Sequence, residues 1–125
     1  QHGVGRIAHP ANVEVNHMIA KIRTIWNVSP ADLIRIHEQL LINLGEEMTC
    51  HRGEWSDWES ELRKHIRQIT DALNVMHNLG CPADSEKKFI EHRWAEKLTQ
   101  DQCKILTEAN ESMFWIKCYR NYLFD

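Results

Sequence analysis

Apolar side chains recur at spacings of three and four residues through most of this chain, which is the period of an α-helix. No stretch alternates apolar and polar positions over the length of a strand. The first predicted helix covers residues 11–27, and its apolar stripe is Val15, Met18, Ile19, Ile22, Ile25 and Trp26. The pattern therefore predicts an all-α fold.

Start and stop signals divide the middle of the chain into two further helices. Ser29 followed by Pro30 reads as an N-cap and a first-turn proline, so a second helix begins there. Ser56 and Glu59 form a capping-box pattern that starts a third helix, and Gly80 ends it. The inward positions predicted for these two helices are Leu33, Ile36, Leu40, Leu41, Leu44, Met48, Leu62, His65, Ile66, Ile69, Leu73 and Met76.

The last third of the chain predicts a fourth and a fifth helix. Asp84 or Ser85 can cap the fourth, and Thr99 with Gln102 repeats the capping box for the fifth. The inward side of the fourth is Phe89, Ile90, Trp94 and Leu98. Residues 113–116 are consecutive apolar residues, so we expect neighbours to cover the fifth helix on several sides and predict that it is the central helix.

These elements predict one compact antiparallel bundle of about five helices with short loops. Residues 1–10 contain Gly3, Gly5 and Pro10 and are predicted to form a flexible arm, which leaves 11–125 as a single helical domain. The longest predicted connection is about 49–55. Because an up-up-down-down cytokine bundle needs two long crossovers, the predicted loops disfavour that class.

The four cysteines predict two disulfides in this bundle. Cys103 and Cys118 lie on one predicted helix, separated by a rise of roughly 22 Å, so they cannot pair with each other. If consecutive helices are antiparallel, the predicted pairs are Cys50–Cys103 and Cys81–Cys118. Two disulfides would indicate a secreted, extracellular protein. The alternative is four free thiols in an intracellular helical adaptor.

Charge and motifs exclude several functional classes. The formal charge is −3, and the 15 basic residues are mixed with 18 acidic ones, so we expect no nucleic-acid partner. No apolar run is long enough to span a bilayer. The eight histidines lack zinc-site spacing, and the E-x-x-H of a di-iron bundle occurs only once, at Glu14 and His17. With no catalytic motif either, the sequence predicts a non-enzymatic protein without metal or cofactor.

Two of the five tryptophans are candidates for an interface. Trp55 and Trp58 flank a helix start close to Arg52, where full burial is difficult, so these three residues are the predicted binding residues. The alternative is that they pack over the end of the bundle. The tryptophans within apolar stripes, which we expect in the core, are Trp26, Trp94 and Trp115. His65 also lies on an apolar face and is interpreted as a hydrogen-bonded core histidine.

Cys50, Cys81, Cys103 and Cys118 on an all-helical background of this size give the chain a format that resembles the salivary inhibitors of Anopheles mosquitoes, of the albicin and anophensin type. That resemblance implies inhibition of host complement or contact-pathway protease complexes. Residues 114–119 also look like the tail of an insect odorant-binding protein, although the closely spaced C-x-x-x-C of that family is missing.

Three functional hypotheses follow. The first is a secreted inhibitor that contacts a host plasma protein or protease complex through an interface of ordinary size. The second is an odorant-binding-like carrier of a small apolar ligand, for which we expect a closed cavity. The side chains predicted to line that cavity are Leu73, Met76, Met113 and Phe114. The third is a cytokine-like receptor ligand.

Overall fold

The predicted all-α fold is confirmed for the described part of the chain. The computed structural model describes residues 17, 19–51 and 57–124, and these contain no strand. Their α-helices include α1 (Arg23–Trp26), α2 (Pro30–His51), α3 (Asp57–Asn78), α4 (Gln100–Cys118) and α5 (Arg120–Leu123), and residues 17 and 19–21 are helical as well. Two 3₁₀ turns, Phe89–Glu91 and Arg93–Lys97, lie between α3 and α4. The predicted arm over 1–10 and the start of the first predicted helix lie outside the described residues.

The three long helices pack in an up-down-up order. His37 Nε2 of α2 lies 2.7 Å from Thr70 Oγ1 of α3. Arg63, near the start of α3, donates a hydrogen bond to the sulfur of Met48, near the end of α2. Helices α2 and α3 are therefore antiparallel. Helices α3 and α4 are also antiparallel, because Trp58 near the start of α3 packs against Trp115 near the end of α4. Helix α1 packs against α4, and α5 packs against both α2 and α4.

Local hydrogen bonds fix where the long helices begin and end. The Ser29 hydroxyl accepts from the amide of Asp32 at 3.0 Å, which confirms the predicted cap of α2. Thr99 and Gln102 form both hydrogen bonds of the predicted capping box at the start of α4. After α3, Gly80 has a φ of 92°, and the amide of Cys81 donates to the carbonyl of Met76 at 2.9 Å. This left-handed turn ends α3 close to the predicted position at Gly80.

The predicted fourth helix is wrong. Residues 79–99 form an extended connection with two 3₁₀ turns, which also makes this the longest connection between long helices. Phe89 and Trp94 are both buried, but Ile90 is 60% exposed, so this segment has no continuous helical stripe. The amide of Phe89 instead donates to the carbonyl of Val28 at 2.9 Å, which holds the connection against the start of α2.

Because the predicted fourth helix does not form, the cysteines share ends of the bundle differently from what was expected. Because residues 79–99 do not cross the bundle, α4 begins at the end where α3 finishes, and Cys103 lies at the same end as Cys81. Cys50 and Cys118 lie at the other end. All four cysteines are free thiols in the structure, so neither predicted disulfide is formed. The prediction paired cysteines from opposite ends of the bundle because it counted one helix too many.

Three more residues that were predicted to face inward on helices are exposed. Leu41 follows the buried Leu40 and is rotated by about 100° away from the core. Met48 lies near the end of α2, where Arg63 of α3 covers it only in part. Phe114 is 63% exposed because it lies on the side of α4 opposite the buried Ser112. Helix α4 contacts α1, α3 and α5, yet one of its sides remains open to solvent.

Candidate functional site

Five linked rings from α3, α4, α5 and the α4–α5 junction lie at the end of the bundle where α3 begins and α4 ends. We call them the aromatic face: Trp58, His65, Trp115, Tyr119 and Tyr122. The ring centres of Trp58 and Trp115 are 5.3 Å apart, and those of Trp58 and Tyr119 are 5.4 Å apart. Tyr122 extends the group at 6.2 Å from Tyr119. These separations are typical of favourable aromatic pairs.

The aromatic face is graded from the core to solvent. His65 is buried, and its ring stacks on Trp115 with 4.2 Å between centres. Trp58 and Trp115 are half-buried, and Tyr119 is exposed. Tyr122 is 77% exposed and lies at the outer edge. The inner rings therefore hold the outer rings in place while leaving them accessible to a partner.

A hydrogen-bond network beneath the aromatic face fixes its base. His65 Nδ1 lies 2.8 Å from the hydroxyl of Ser112, and that hydroxyl donates to the side-chain oxygen of Gln68. On the other side of the ring, His65 Nε2 lies 3.2 Å from a carboxylate oxygen of Glu61. The network joins α3 to α4, and it confirms that His65 is a hydrogen-bonded core histidine.

Burial lowers the pKa of His65, while its hydrogen bond to Glu61 opposes that effect. The Ser112 hydroxyl can donate to Gln68 and accept from His65 Nδ1 at the same time. When His65 is protonated, both of its ring nitrogens donate, and Nε2 pairs with Glu61. Glu61 is exposed enough to turn towards water when His65 is neutral.

The Glu61, His65 and Ser112 side chains have the residue types of a hydrolytic triad, but their arrangement is that of a packed core. Ser112 is 0% exposed, so a substrate carbonyl cannot reach its hydroxyl in this conformation. Its hydroxyl lies within hydrogen-bond distance of Gln68 as well as of His65. A nucleophilic serine needs a base that takes its proton and an open face for attack. The open face is absent here, because Ser112 is fully buried.

Of the predicted binding residues, Trp58 belongs to the aromatic face, while Arg52 and Trp55 lie outside the described residues. Trp115, Tyr119 and Tyr122 were not predicted as surface residues. Their spacing of four and then three positions is that of one helical stripe, so the signal was available. It was overlooked because Trp115 lies in an apolar run that was interpreted as core.

A second feature, which we call the groove, lies between α1, α2 and the end of α4. Its volume is about 540 Å³. It is lined by Arg23, Thr24, Asn27, Val28, Asp32, Arg35, Ile36, Met113, Ile116, Lys117, Arg120 and Phe124. Four of these side chains are cationic and one is a carboxylate, which gives the lining a formal charge of +3 in a protein whose net charge is −3.

The described residues contain no group of three or more histidine, cysteine, aspartate or glutamate side chains that could hold a metal ion. None of the described helices is both long enough and apolar enough to cross a membrane. The candidate sites are therefore the aromatic face and the groove.

No protein-family model, no curated protein and no solved structure matches this chain. The likeness to mosquito salivary inhibitors thus rests on the format of the sequence.

Proposed function

We propose that this protein is a non-enzymatic binding domain that contacts a protein partner through its aromatic face. The observation that carries the proposal is the set of linked rings running from buried His65 to exposed Tyr122. Tryptophan and tyrosine supply large contact areas with few rotatable bonds, and they are enriched at the energetic centres of interfaces. Because the inner rings are already packed, binding would cost little side-chain entropy.

The partner class that we propose is a secreted plasma protein or protease complex of a host, in the complement or contact pathway. The resemblance to salivary inhibitors supports this choice. Inhibition by protein–protein contact also requires no catalytic motif, and the sequence contains none that we identified. The free thiols of the structure remove one feature of that resemblance, the disulfide framework. Secretion is therefore part of the proposal and is tested together with it.

The test is inhibition of complement-mediated lysis and of contact-activated clotting in plasma by the purified chain. We expect inhibition that saturates, and we expect Tyr122→Ala to weaken it by at least about tenfold, as for removal of an interface hot spot. Phe114→Ala is the matched control, because Phe114 is similarly exposed but lies away from the aromatic face. It should leave inhibition unchanged.

Two results would contradict the proposal. If the chain inhibits neither pathway at micromolar concentration, the proposed partner class is wrong. If Tyr122→Ala and Phe114→Ala weaken inhibition equally, the contact does not use the aromatic face. A circular-dichroism melt of each variant shows whether a loss of inhibition reflects a loss of folding.

The structure gives less support to the carrier and cytokine hypotheses, as the sequence predicted them, than to a protein contact. Leu73 and Met76 line a pocket of about 210 Å³, while Met113 lines the separate groove and Phe114 is exposed to solvent. These four residues therefore line no common cavity. The up-down-up order of α2, α3 and α4 also differs from the up-up-down-down order of a helical cytokine.

A further inference from the structure

The groove combines an apolar floor with a cationic rim, and it is separate from the aromatic face. Met113 and Ile116 of α4 form the buried part of the floor, and Phe124 forms its outer edge. Thr24 and Asn27 are the uncharged polar residues on its walls. A volume of about 540 Å³ lies within the range of small-molecule sites, which is roughly 300–1,000 Å³.

The cations of the rim fall into two groups with different roles. Arg35 is already neutralised, because it pairs with Asp32 and, at 2.7 Å, with Glu86. Arg23, Lys117 and Arg120 have no carboxylate within ion-pair distance among the described residues. The unpaired positive charge therefore lies on the wall made by α1, α4 and α5.

Lys117 and Arg120 both line the groove, as do Met113 and Ile116 of its floor. The two cations are three positions apart in the sequence, on either side of the junction of α4 and α5. An anion held by these two cations would leave an attached apolar chain over Met113 and Ile116. The arrangement is complementary to a molecule with one negative head and one hydrocarbon tail.

We propose that the groove binds a free long-chain carboxylate of the fatty-acid class. The carboxylate accepts hydrogen bonds from Lys117 and Arg120, and the hydrocarbon chain lies on Met113, Ile116 and Phe124. Charge-assisted hydrogen bonds of this kind are about twice as strong as neutral ones, and burial of the chain adds affinity with each methylene group. A neutral lipid would bind to the same floor but would gain nothing from the cations.

The experiment measures binding of laurate, 1-dodecanol and acetate to the full chain by isothermal titration calorimetry, with both long-chain probes below their aggregation limits. We expect laurate to bind at one site with a dissociation constant on the order of micromolar. We expect 1-dodecanol to bind at least about tenfold more weakly because it lacks the charge, and acetate to show no binding because it lacks the chain.

Three variants separate the head from the tail. The double variant K117A/R120A should weaken laurate by at least about tenfold and leave 1-dodecanol unchanged. Phe124→Ala should weaken both long-chain probes, because it removes part of the apolar floor. Lys104→Ala is the matched control, since Lys104 is an exposed cation of α4 that does not line the groove, and it should leave laurate binding unchanged.

Three outcomes would overturn this proposal. They are the absence of saturable laurate binding, equal affinity for laurate and 1-dodecanol, and laurate binding that K117A/R120A and K104A weaken to the same extent. Capture of phosphatidylserine vesicles without any binding of laurate would also overturn it, because the occupant would then be a membrane surface. None of these results depends on Tyr122, so they do not test the protein contact that we propose for the aromatic face.

Discussion

His65 and Ser112 place two polar side chains at the contact between α3 and α4, where apolar residues would otherwise meet. Both are buried, and both have hydrogen-bond partners within the described residues. Hydrogen bonds in a core depend on direction, whereas apolar contacts do not, so this pair favours one register between the two helices. The same register places Trp115 against His65 and Trp58, which assembles the aromatic face.

Replacing Ser112 with alanine tests the strength of this network. The variant leaves His65 Nδ1 and the Gln68 oxygen without their partner, so we expect the free energy of unfolding to fall by about 1–3 kcal/mol. Urea denaturation measures the change. Thr107→Ala is the control, because the Thr107 hydroxyl bonds only to the carbonyl of Cys103 in its own helix. Equal losses in the two variants would show that the network adds no stability.

The pH dependence of stability follows from the histidines. Burial lowers the pKa values of both His65 and His37 below the ordinary value of about 6.5, so the unfolded chain binds more protons than the folded protein. Their contribution to stability is present above about pH 6.5 and is lost as the pH falls through their folded pKa values.

We therefore expect the urea midpoint to fall between about pH 7.5 and about pH 5, and His65→Asn to make that fall less steep. Glu61 and Lys64 also act on the charge of His65, in opposite directions. His77→Asn, at an exposed position of α3, is the control and should keep the full slope. An unchanged slope in His65→Asn would exclude His65 as a source of the pH dependence.

At the scale of elements, the structure confirms the predictions that depend only on residues close together in the sequence. Ser29 and Thr99 cap α2 and α4, and Gly80 ends the turn after α3, because each acts on backbone groups only a few residues away. The fourth helix failed because Phe89 and Trp94 are placed by tertiary contacts. Phe89 bonds to Val28, and Trp94 packs on Trp26 with 5.1 Å between ring centres.

Alanine substitutions at the two described glycines, one in α2 and one in the turn after α3, are expected to change the free energy of unfolding in opposite directions. Gly45 lies inside α2 with open space where a side chain would be, so Gly45→Ala should raise the free energy of unfolding by about 0.5–1 kcal/mol. Gly80 has a left-handed φ of 92°, so Gly80→Ala should lower it by about 1 kcal/mol. Urea denaturation of both variants checks the signs. A gain in both would mean that the turn after α3 does not need its left-handed residue.

At the scale of the whole molecule, the sequence predicted the class of fold but not the arrangement of the ends. The up-down-up order depends on whether residues 79–99 cross the bundle, and no local signal decides that. Adding or removing one helix that crosses the bundle moves Cys103 and Cys118 to the opposite ends of the bundle. The candidate sites were missed in part for the same reason, because the groove forms only where α1, α2 and α4 meet.

The thiols provide a direct test of this arrangement. Cys50 and Cys118 are exposed, whereas Cys81 and Cys103 are buried, and burial raises the pKa values of the latter two. Since the thiolate is the reactive form, we expect iodoacetamide at about pH 8 to label Cys50 and Cys118 quickly and the other two only after unfolding. Peptide mapping by mass spectrometry gives the order of labelling. Protection of all four thiols in unreduced protein would instead indicate disulfides.

The contact between residues 79–99 and the start of α2 decides where this chain can be cut or extended. A long connection with little α-helix is normally the first choice for a protease site or an inserted tag. Here the amide of Ala31 donates to the carbonyl of Ser85 at 3.1 Å, and Phe89 is fully buried. An insertion between those anchors would withdraw an aromatic ring from the core. The longest connection is therefore among the least permissive places in the described chain for engineering.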